Sequence, residues 1–435
     1  MSLYKTALFT TLLMISPSLW AVNNLEESPT LSLQQAETMV LKQNPSLFAA
    51  EKHMQALAMI PPQVGTLADP TISFKALNLP VNSFSPTQEN MTQMQLAISQ
   101  KLPYPGKLNL KKAIAKDTAK VAISNRDELR LVLLRNVRIH WWNIAYLDKA
   151  LFIVRNNQHL LRNLVRISEA KYKTGAGLQQ DVLLAQLELS KILEQAFKLT
   201  SERRVQVAQL NALLNRDTDT SIQLASPLPD MSRAVSQVER LKKWAKKFHP
   251  KLQSLGHQID AADKRIDLAN KDYYPDFKVS AAYGFRQGTN PANNQTRSDM
   301  ASVMLSMNLP IFTDSKQDKA LDQRHAEQAQ LEFKWKNTLN QINADIDSAV
   351  SELHTSQKQM QLFKLGIIPQ SRQTTASMLA GYQVNKVDFL NLVRAQLIEF
   401  NHDIQYWKHY TKAGQAYAKL AQAVGKKPSL GENHE

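Results

Sequence analysis

The sequence predicts a mainly α-helical chain with a membrane β-barrel portion, built from duplicated long helical hairpins forming an α-barrel, with four strands per chain. Three observations predict it. Punctuating residues recur in the same order about 205 to 210 residues apart, so the chain contains one unit twice. Four short segments alternate apolar and polar residues with the period of a strand. Two stretches of roughly 67 residues keep helical spacing, which at ~1.5 Å per residue makes helices too long for a globular domain.

The duplication divides the chain. Asn44-Pro45-Ser46-Leu47 recurs as His249-Pro250-Lys251-Leu252, Asp69-Pro70 as Tyr274-Pro275, and Leu102-Pro103 as Leu309-Pro310. Tyr172-Lys173-Thr174-Gly175 recurs as Tyr382-Gln383-Val384-Asn385, and Ala185-Gln186-Leu187 as Ala395-Gln396-Leu397. The expected segments are a signal peptide over 1–21, a first repeat over 22–230, a second over 231–425 and a flexible tail over 426–435.

At the N-terminus Lys5 precedes a mostly apolar run, Ala7 to Leu19, and Ala21 offers a small residue for cleavage, so export is expected. With no cysteine the chain can carry neither an acylated mature start, nor a disulfide, nor a thiolate metal site. No later segment approaches 18 consecutive apolar residues, so a membrane would have to be crossed by strands.

In the first repeat Leu33, Ala36, Val40, Leu41 and Leu47 follow Ser32 at helical spacing, predicting a helix over 33–60 closed by Pro61-Pro62 and Asp69-Pro70. Ile72, Phe74 and Ala76 then alternate with Thr71, Ser73 and Lys75. Across a Pro- and Asn-rich loop, Met94, Leu96 and Ile98 alternate with Gln93, Gln95 and Ser99. The second repeat predicts a helix over 238–272 and then alternates Phe277, Val279, Ala281, Tyr283 and Phe285 with Lys278, Ser280, Ala282, Gly284 and Arg286. Val303, Leu305, Met307 and Leu309 complete that hairpin. Strands of about ten residues, apolar on one face and carrying Lys and Arg on the other, suit lipid outside and a water-filled lumen inside. Lys75, Lys278, Arg286 and Met304 are the candidate lumen residues. Four strands cannot close a barrel, so copies must combine; two would give eight strands and three twelve, and the spacing does not choose between them.

Long helices follow, over about 106–173 and 315–381; in the first, Leu134, Val137, Trp141, Ile144, Leu147, Leu151 and Val154 show the alternation of a coiled-coil seam. Returning helices are expected over 179–216 and 388–424, turning at Thr174-Gly175-Ala176-Gly177 and Val384-Asn385-Lys386. Those tips are the natural place for a gate. Asp181, Lys386, Asp388, Asn391 and Arg394 are the candidates, weighed against acidic residues that merely favour a helix start.

The formal charge of +15 does not make a nucleic-acid protein of an exported chain, and Lys242-Lys243 with Lys246-Lys247 read as a solvated helix face. No catalytic constellation emerges, so the chain is not expected to be an enzyme. No Gly-rich phosphate loop follows a strand, and His249 and His257 read as solvent-facing residues of a polar helix face rather than a zinc pair. Met94 and Met307 fall on the apolar face and Met304 alone on the polar one, so no metal site or cofactor is assigned.

The opening around Leu33 and Asn44-Pro45-Ser46-Leu47, the Asp69-Pro70 strand start, Gln100 to Lys107, Tyr274-Pro-Asp-Phe277 and Leu309-Pro-Ile-Phe312 together resemble the TolC family of outer-membrane efflux proteins. Asn78-Leu-Pro80 and Leu102-Pro-Tyr-Pro-Gly-Lys107 are most similar to its heavy-metal, CzcC-like branch. The resemblance implies a homotrimer whose twelve-stranded barrel sits in outer-membrane lipid, with an α-helical tunnel across the periplasm. It also implies a periplasmic adaptor and an inner-membrane pump of RND type as partners, and a passive exit duct as function. Relatives place aspartates on the second tip, where this chain has Asn391 and Arg394. Drug or type I secretion ducts share the pattern; a soluble periplasmic coiled-coil adaptor or scaffold is the reading from another class.

Overall fold

The computed structural model describes residues 30–232 and 237–426. The expected signal peptide, and the expected tail apart from Lys426, lie outside them.

The first half runs α1 (Leu33–Gln43), α2 (Pro45–Ala58), α3 (Ile60–Val64), β1 (Thr71–Leu77), β2 (Gln93–Leu102), α4 (Lys107–Lys173) and α5 (Gln179–Leu213). The second runs α6 (Val238–Phe248), α7 (Pro250–Lys271), β3 (Phe277–Phe285), β4 (Met300–Met307), α8 (Gln317–Leu362), a π turn (Phe363–Ile367), α9 (Ile368–Gln383) and α10 (Phe389–Val424). Each half runs from helices through a strand hairpin to a long helical hairpin, with α3 present only in the first and the π turn only in the second.

Two expected helices are broken at the same place. Ser32 opens α1 with a capping box to Gln35, but Asn44 then stops α1 and caps α2, its side chain accepting from the Ser46 and Leu47 N–H groups. His249 does the same between α6 and α7. Each precedes a proline at the first helical position, which has no N–H to leave unpaired and so starts a helix readily. Pro61 and Pro62 lie in the first turn of α3, after Ile60, instead of closing a helix.

The strands form one antiparallel sheet in the order β1-β2-β3-β4. Pairing β2 with β3 joins the hairpins of the two halves and sets a single register through them. Ile72 lies opposite Ile98, Ile98 opposite Ala281 and Ala281 opposite Val303; the same face carries Phe74, Leu96 and Tyr283. Thr71, Ser99, Ser280 and Met304 form a row of the other face, with Lys75, Gln95, Gly284 and Met300 in another. Met300 therefore joins Met304 on the polar face, where only Met304 was expected. β1 has seven residues, fewer than the expected ten.

Helix α4 is continuous for 67 residues. Its counterpart is not the single helix expected over 315–381: α8, the π turn and α9 hold 46, 5 and 16 residues, together matching α4. Gly366 and Pro369 cause the interruption. Proline has no N–H for the carbonyl four residues back and its ring crowds that carbonyl; widening the turn so that Ile368 N–H reaches the Phe363 carbonyl absorbs the defect.

Helix α4 packs on α2 and α7 towards the sheet and on α5 and α10 towards the tips, while α8 packs on α7 and α10. One core surrounds Trp141, Trp142, Leu210, Leu353 and Leu420, where Leu31 also pairs with Leu224 as a parallel bridge. The other, near the tips, gathers Leu151, Val154, Leu161, Ile192, Phe389 and Leu392. Gly414 lets α10 approach α4: a Cβ there would stand 2.1 Å from Cε2 of Trp142.

Candidate functional site

The sheet meets the helices at a polar knot built from both halves. Lys107, whose side chain is 6% exposed, reaches Asp272 at 2.9 Å and Asp276 at 3.0 Å. Tyr104 N–H donates to the same Asp276 Oδ1 at 2.7 Å, and the Tyr104 ring stacks on Tyr274 with centroids 4.5 Å apart. Gly106 takes φ +90° to turn the chain into α4, a conformation favouring glycine. Burial disfavours the Lys107 charge, but hydrogen bonds and attraction from the two aspartates outweigh it and raise its pKa. Further along, Asp117 is buried between Lys264 and Lys120; against the cost of burial, both hold its carboxyl below the usual range.

On the polar face of the sheet Lys278 stands opposite Lys101 and Ser306, Lys75 opposite Gln95, and Met304 opposite Ser280. Arg286 follows the last residue of β3; its backbone N–H donates to Asp299 at 2.9 Å and its guanidinium to the Asn90 carbonyl. Arg297, absent from the sequence reading, does more. Buried in the same loops, it donates to the Thr87, Glu89 and Gln287 carbonyls and the Asn90 side chain, holding the loop after β1 to the loop after β3. An isolated loop arginine has no sequence signal for that role.

At the opposite end the two tips are stitched together by Lys171. Its Nζ donates to the Tyr382 carbonyl at 2.9 Å and the Asn385 side chain at 2.6 Å, and lies 4.2 Å from the Tyr382 ring centre. Tyr382 is buried, and burial together with the nearby Asp181 charge raises its phenol pKa. Asp181 sits in the first turn of α5. Asp388 caps α10, accepting from Asn391 N–H at 2.8 Å and from the Asn391 side chain at 3.1 Å. Among the described residues of one chain no ion pair joins Asp181, Lys386 or Arg394. Sequence reading missed Lys171, although it lies one residue before the repeated Tyr172 motif.

His249 corrects an expectation. It is 1% exposed, not solvent-facing: its Nδ1 accepts from Lys251 N–H at 3.2 Å, and its Nε2 is buried with no hydrogen-bond partner among the described residues. Burial lowers its pKa, against an upward pull from Glu128, whose carboxylate is 3.6 Å away. The cap role, shared with Asn44, explains why the repeat keeps a side-chain acceptor there. His257 is half-exposed, 3.5 Å from Asp260. No group of three or more His, Asp or Glu arranged to hold a metal occurs among the described residues.

No helix among the described residues is long and apolar enough to cross a membrane. A family model described as "Outer membrane efflux protein" matches residues 38–216 and 243–426. No curated protein matches the chain by sequence. Among solved structures it is similar to the outer membrane protein VceC from Vibrio cholerae, at 16% identity and TM-score 0.75 over 91% of this chain and 96% of that one. It is similar to the Campylobacter jejuni CmeC outer membrane channel at 15% identity and TM-score 0.76, over 92% and 87% of the two chains. CusC, from a study of folding and transmembrane channel formation, shares 16% identity and TM-score 0.75 over 91% and 92%. The mainly helical fold with a small β portion is that of these channels.

Proposed function

The chain belongs to the outer membrane efflux protein family, and on that premise we propose that three copies close a duct through which an inner-membrane pump exports heavy-metal cations. The family conducts and does not catalyse, and the chain is placed in the outer membrane with its helices reaching into the periplasm. The observation that carries the proposal is the four-stranded sheet. It exposes Ile72, Phe74, Val303 and Leu305 on one face, and its outer strands β1 and β4 have no second partner among the described residues of the chain. In lipid, unpaired edges cost several kcal/mol per backbone group, about 4–8 in the extreme, so β1 of one copy must meet β4 of another. Helices repeat the logic: α5 leaves Leu183, Leu187 and Phe197 exposed on one flank of the bundle, and the α8 side leaves Leu362 and Leu365 on the other. Three copies give twelve strands, wide enough for a lumen lined by Lys75, Lys278, Met304 and, at its mouth, Arg286.

At the tips, Lys386 or Arg394 of one copy paired with Asp181 of the next would hold the duct closed until a periplasmic adaptor opens it. The heavy-metal reading, with an RND-type pump as energy source, rests on the Asn78-Leu-Pro80 and Leu102-to-Lys107 motifs. Two measurements test the proposal. The protein should leave the outer-membrane fraction as a heat-resistant trimer that conducts in planar bilayers; a monomer would sink the duct. Deleting it should sensitise cells to divalent transition metals, whereas sensitivity to antibiotics alone, or loss of a secreted protein, would assign a drug or secretion duct.

A further inference from the structure

Helix α6 reads Val-Glu-Arg-Leu-Lys-Lys-Trp-Ala-Lys-Lys-Phe. Ala245 is fully buried and Leu241 half-buried against the first core, so this face is fixed on α8, with α7 and α10 beside it. The other face leaves Arg240, Lys243, Lys246 and Lys247 exposed, and Lys251 and Lys426 continue the positive surface. Only Lys242 is neutralised: it lies 3.4 Å from Glu239 and 2.8 Å from Asp347. The remaining cations have no ion pair among the described residues. Between them Trp244 and Phe248 stay 37% and 40% exposed, their ring centres 4.4 Å apart. Lys426 Nζ sits 3.4 Å above the Trp244 ring and Lys247 Nζ 5.1 Å from that of Phe248. Aromatic rings left partly exposed inside a cationic surface are not a plain solvated face.

Position decides what such a surface can meet. At its far end α7, with 22 residues and so roughly 33 Å long, leads through Tyr274-Pro275 into β3. The α6 surface is therefore about a helix length from the lipid-crossing sheet, beyond reach of lipid headgroups and well short of the tips. An anionic occupant at that height belongs to the periplasm. We propose that α6 docks peptidoglycan, the periplasmic glycan whose short peptides carry free carboxylates. The exposed lysines and Arg240 attract those carboxylates through their summed field, while the exposed parts of Trp244 and Phe248 offer the sugar rings apolar contact area. The inference uses the duct reading only to place α6 in the periplasm.

The test uses full-length protein in nanodiscs, cosedimented with purified, insoluble peptidoglycan sacculi. Wild type should sediment at low salt and lose about tenfold of its binding when salt is raised, since screened charges carry the attraction. Replacing Arg240, Lys243, Lys246 and Lys247 with Glu should cut binding about tenfold, while replacing the three lysines with Arg should preserve it. Sacculi whose carboxylates have been amidated should no longer retain the wild type, an arm that needs no variant. Equal binding to amidated sacculi, equal binding by the charge-reversed protein, or preference for phosphatidylglycerol vesicles would overturn the proposal. So would loss of the heat-resistant oligomer in the charge-reversed variant alone, because a neighbouring copy would then cover this face. Retained conductance of the wild-type protein in planar bilayers alongside any of these results separates failure of the docking from failure of the duct.

Discussion

Lys107 Nζ lies 3.0 Å from Oδ1 of Asp276, which ties the first turn of the first long helix to the residue before the first strand of the second half. The same oxygen accepts from Tyr104 N–H, so one carboxylate fixes the exit of β2 and the start of β3 together. Replacing Lys107 with Met should leave two aspartates without their shared cation and loosen the seam between sheet and helices. Because both carboxylates are half-exposed, the cost should be about 1–3 kcal/mol and not that of a fully buried pair. Thermal melting of the oligomer reads it; an unchanged melting temperature would show that water replaces the lysine without penalty.

A side chain at Gly414 has nowhere to go, because the Trp142 ring fills the space a Cβ would need. Gly414→Ala should cost about 1–3 kcal/mol through forced repacking of α10 on α4. Trp142→Phe in the same protein should recover part of that loss, and denaturant midpoints of the single and double variants measure it. Independent, additive effects would mean the two residues are not coupled.

His249 makes stability depend on pH. Its folded pKa lies below its ordinary value of 6.5, because burial outweighs Glu128 and the more distant Asp345, and Lys251 adds a further push downward. Below that value the unfolded chain binds a proton that the folded chain refuses, so this contribution is full above pH 6.5 and falls as the pH drops towards the folded pKa. Replacing His249 with Asn, the residue that caps α2, should keep the cap and flatten the slope between pH 7 and 5. Identical slopes in both proteins, measured by thermal melting across roughly that range, would remove His249 as the source.

The shared register predicts opposite outcomes for neighbouring residues of β4. Leu305 lies opposite Val279 on the apolar face and Ser306 opposite Lys278 on the polar one. Leu305→Arg should impair assembly by about 2–4 kcal/mol if that face meets mid-membrane lipid, and Ser306→Arg should be tolerated. The yield of heat-resistant oligomer distinguishes them; equal yields would contradict the assignment of faces.

Lys171 bridges the two tips of one chain through the Tyr382 carbonyl and the Asn385 side chain. Lys171→Met should free the tips from each other and raise single-channel conductance without lowering oligomer yield. Conductance equal to wild type would place the constriction elsewhere.

Periodicity carried most of the architecture, because a strand of alternating Ile72, Phe74 and Ala76 or a long run of helical spacing writes its structure locally. The breaks at Asn44-Pro45 and His249-Pro250 were also written locally, as a capping side chain followed by proline, but an amphipathic stripe running through them obscured the signal. Gly366 and Pro369, inside the single helix expected over 315–381, are the local mark of the π turn. Contacts between the halves were not legible. Lys107 and Asp276 are 169 residues apart, and Lys171 and Asn385 are 214 apart, so nothing in either neighbourhood names its partner. The lumen and tip candidates followed from their positions in the repeat; the residues that tie the neighbouring loops and the two tips together, Arg297 and Lys171, did not.

A sheet with its two margins left open makes assembly collective, and the consequence is genetic. If each copy offers β1 to one neighbour and β4 to the next, a copy that can pair on only one side still occupies a place in the ring and leaves a breach no partner can seal. A proline substituted in β1 at a residue whose N–H points away from β2 would act this way. Mixed with wild type in a shared pool, such copies would spoil every ring they enter, so that only rings drawn wholly from intact copies survive. The allele would behave as dominant, with activity falling as the cube of the intact fraction for three-membered rings.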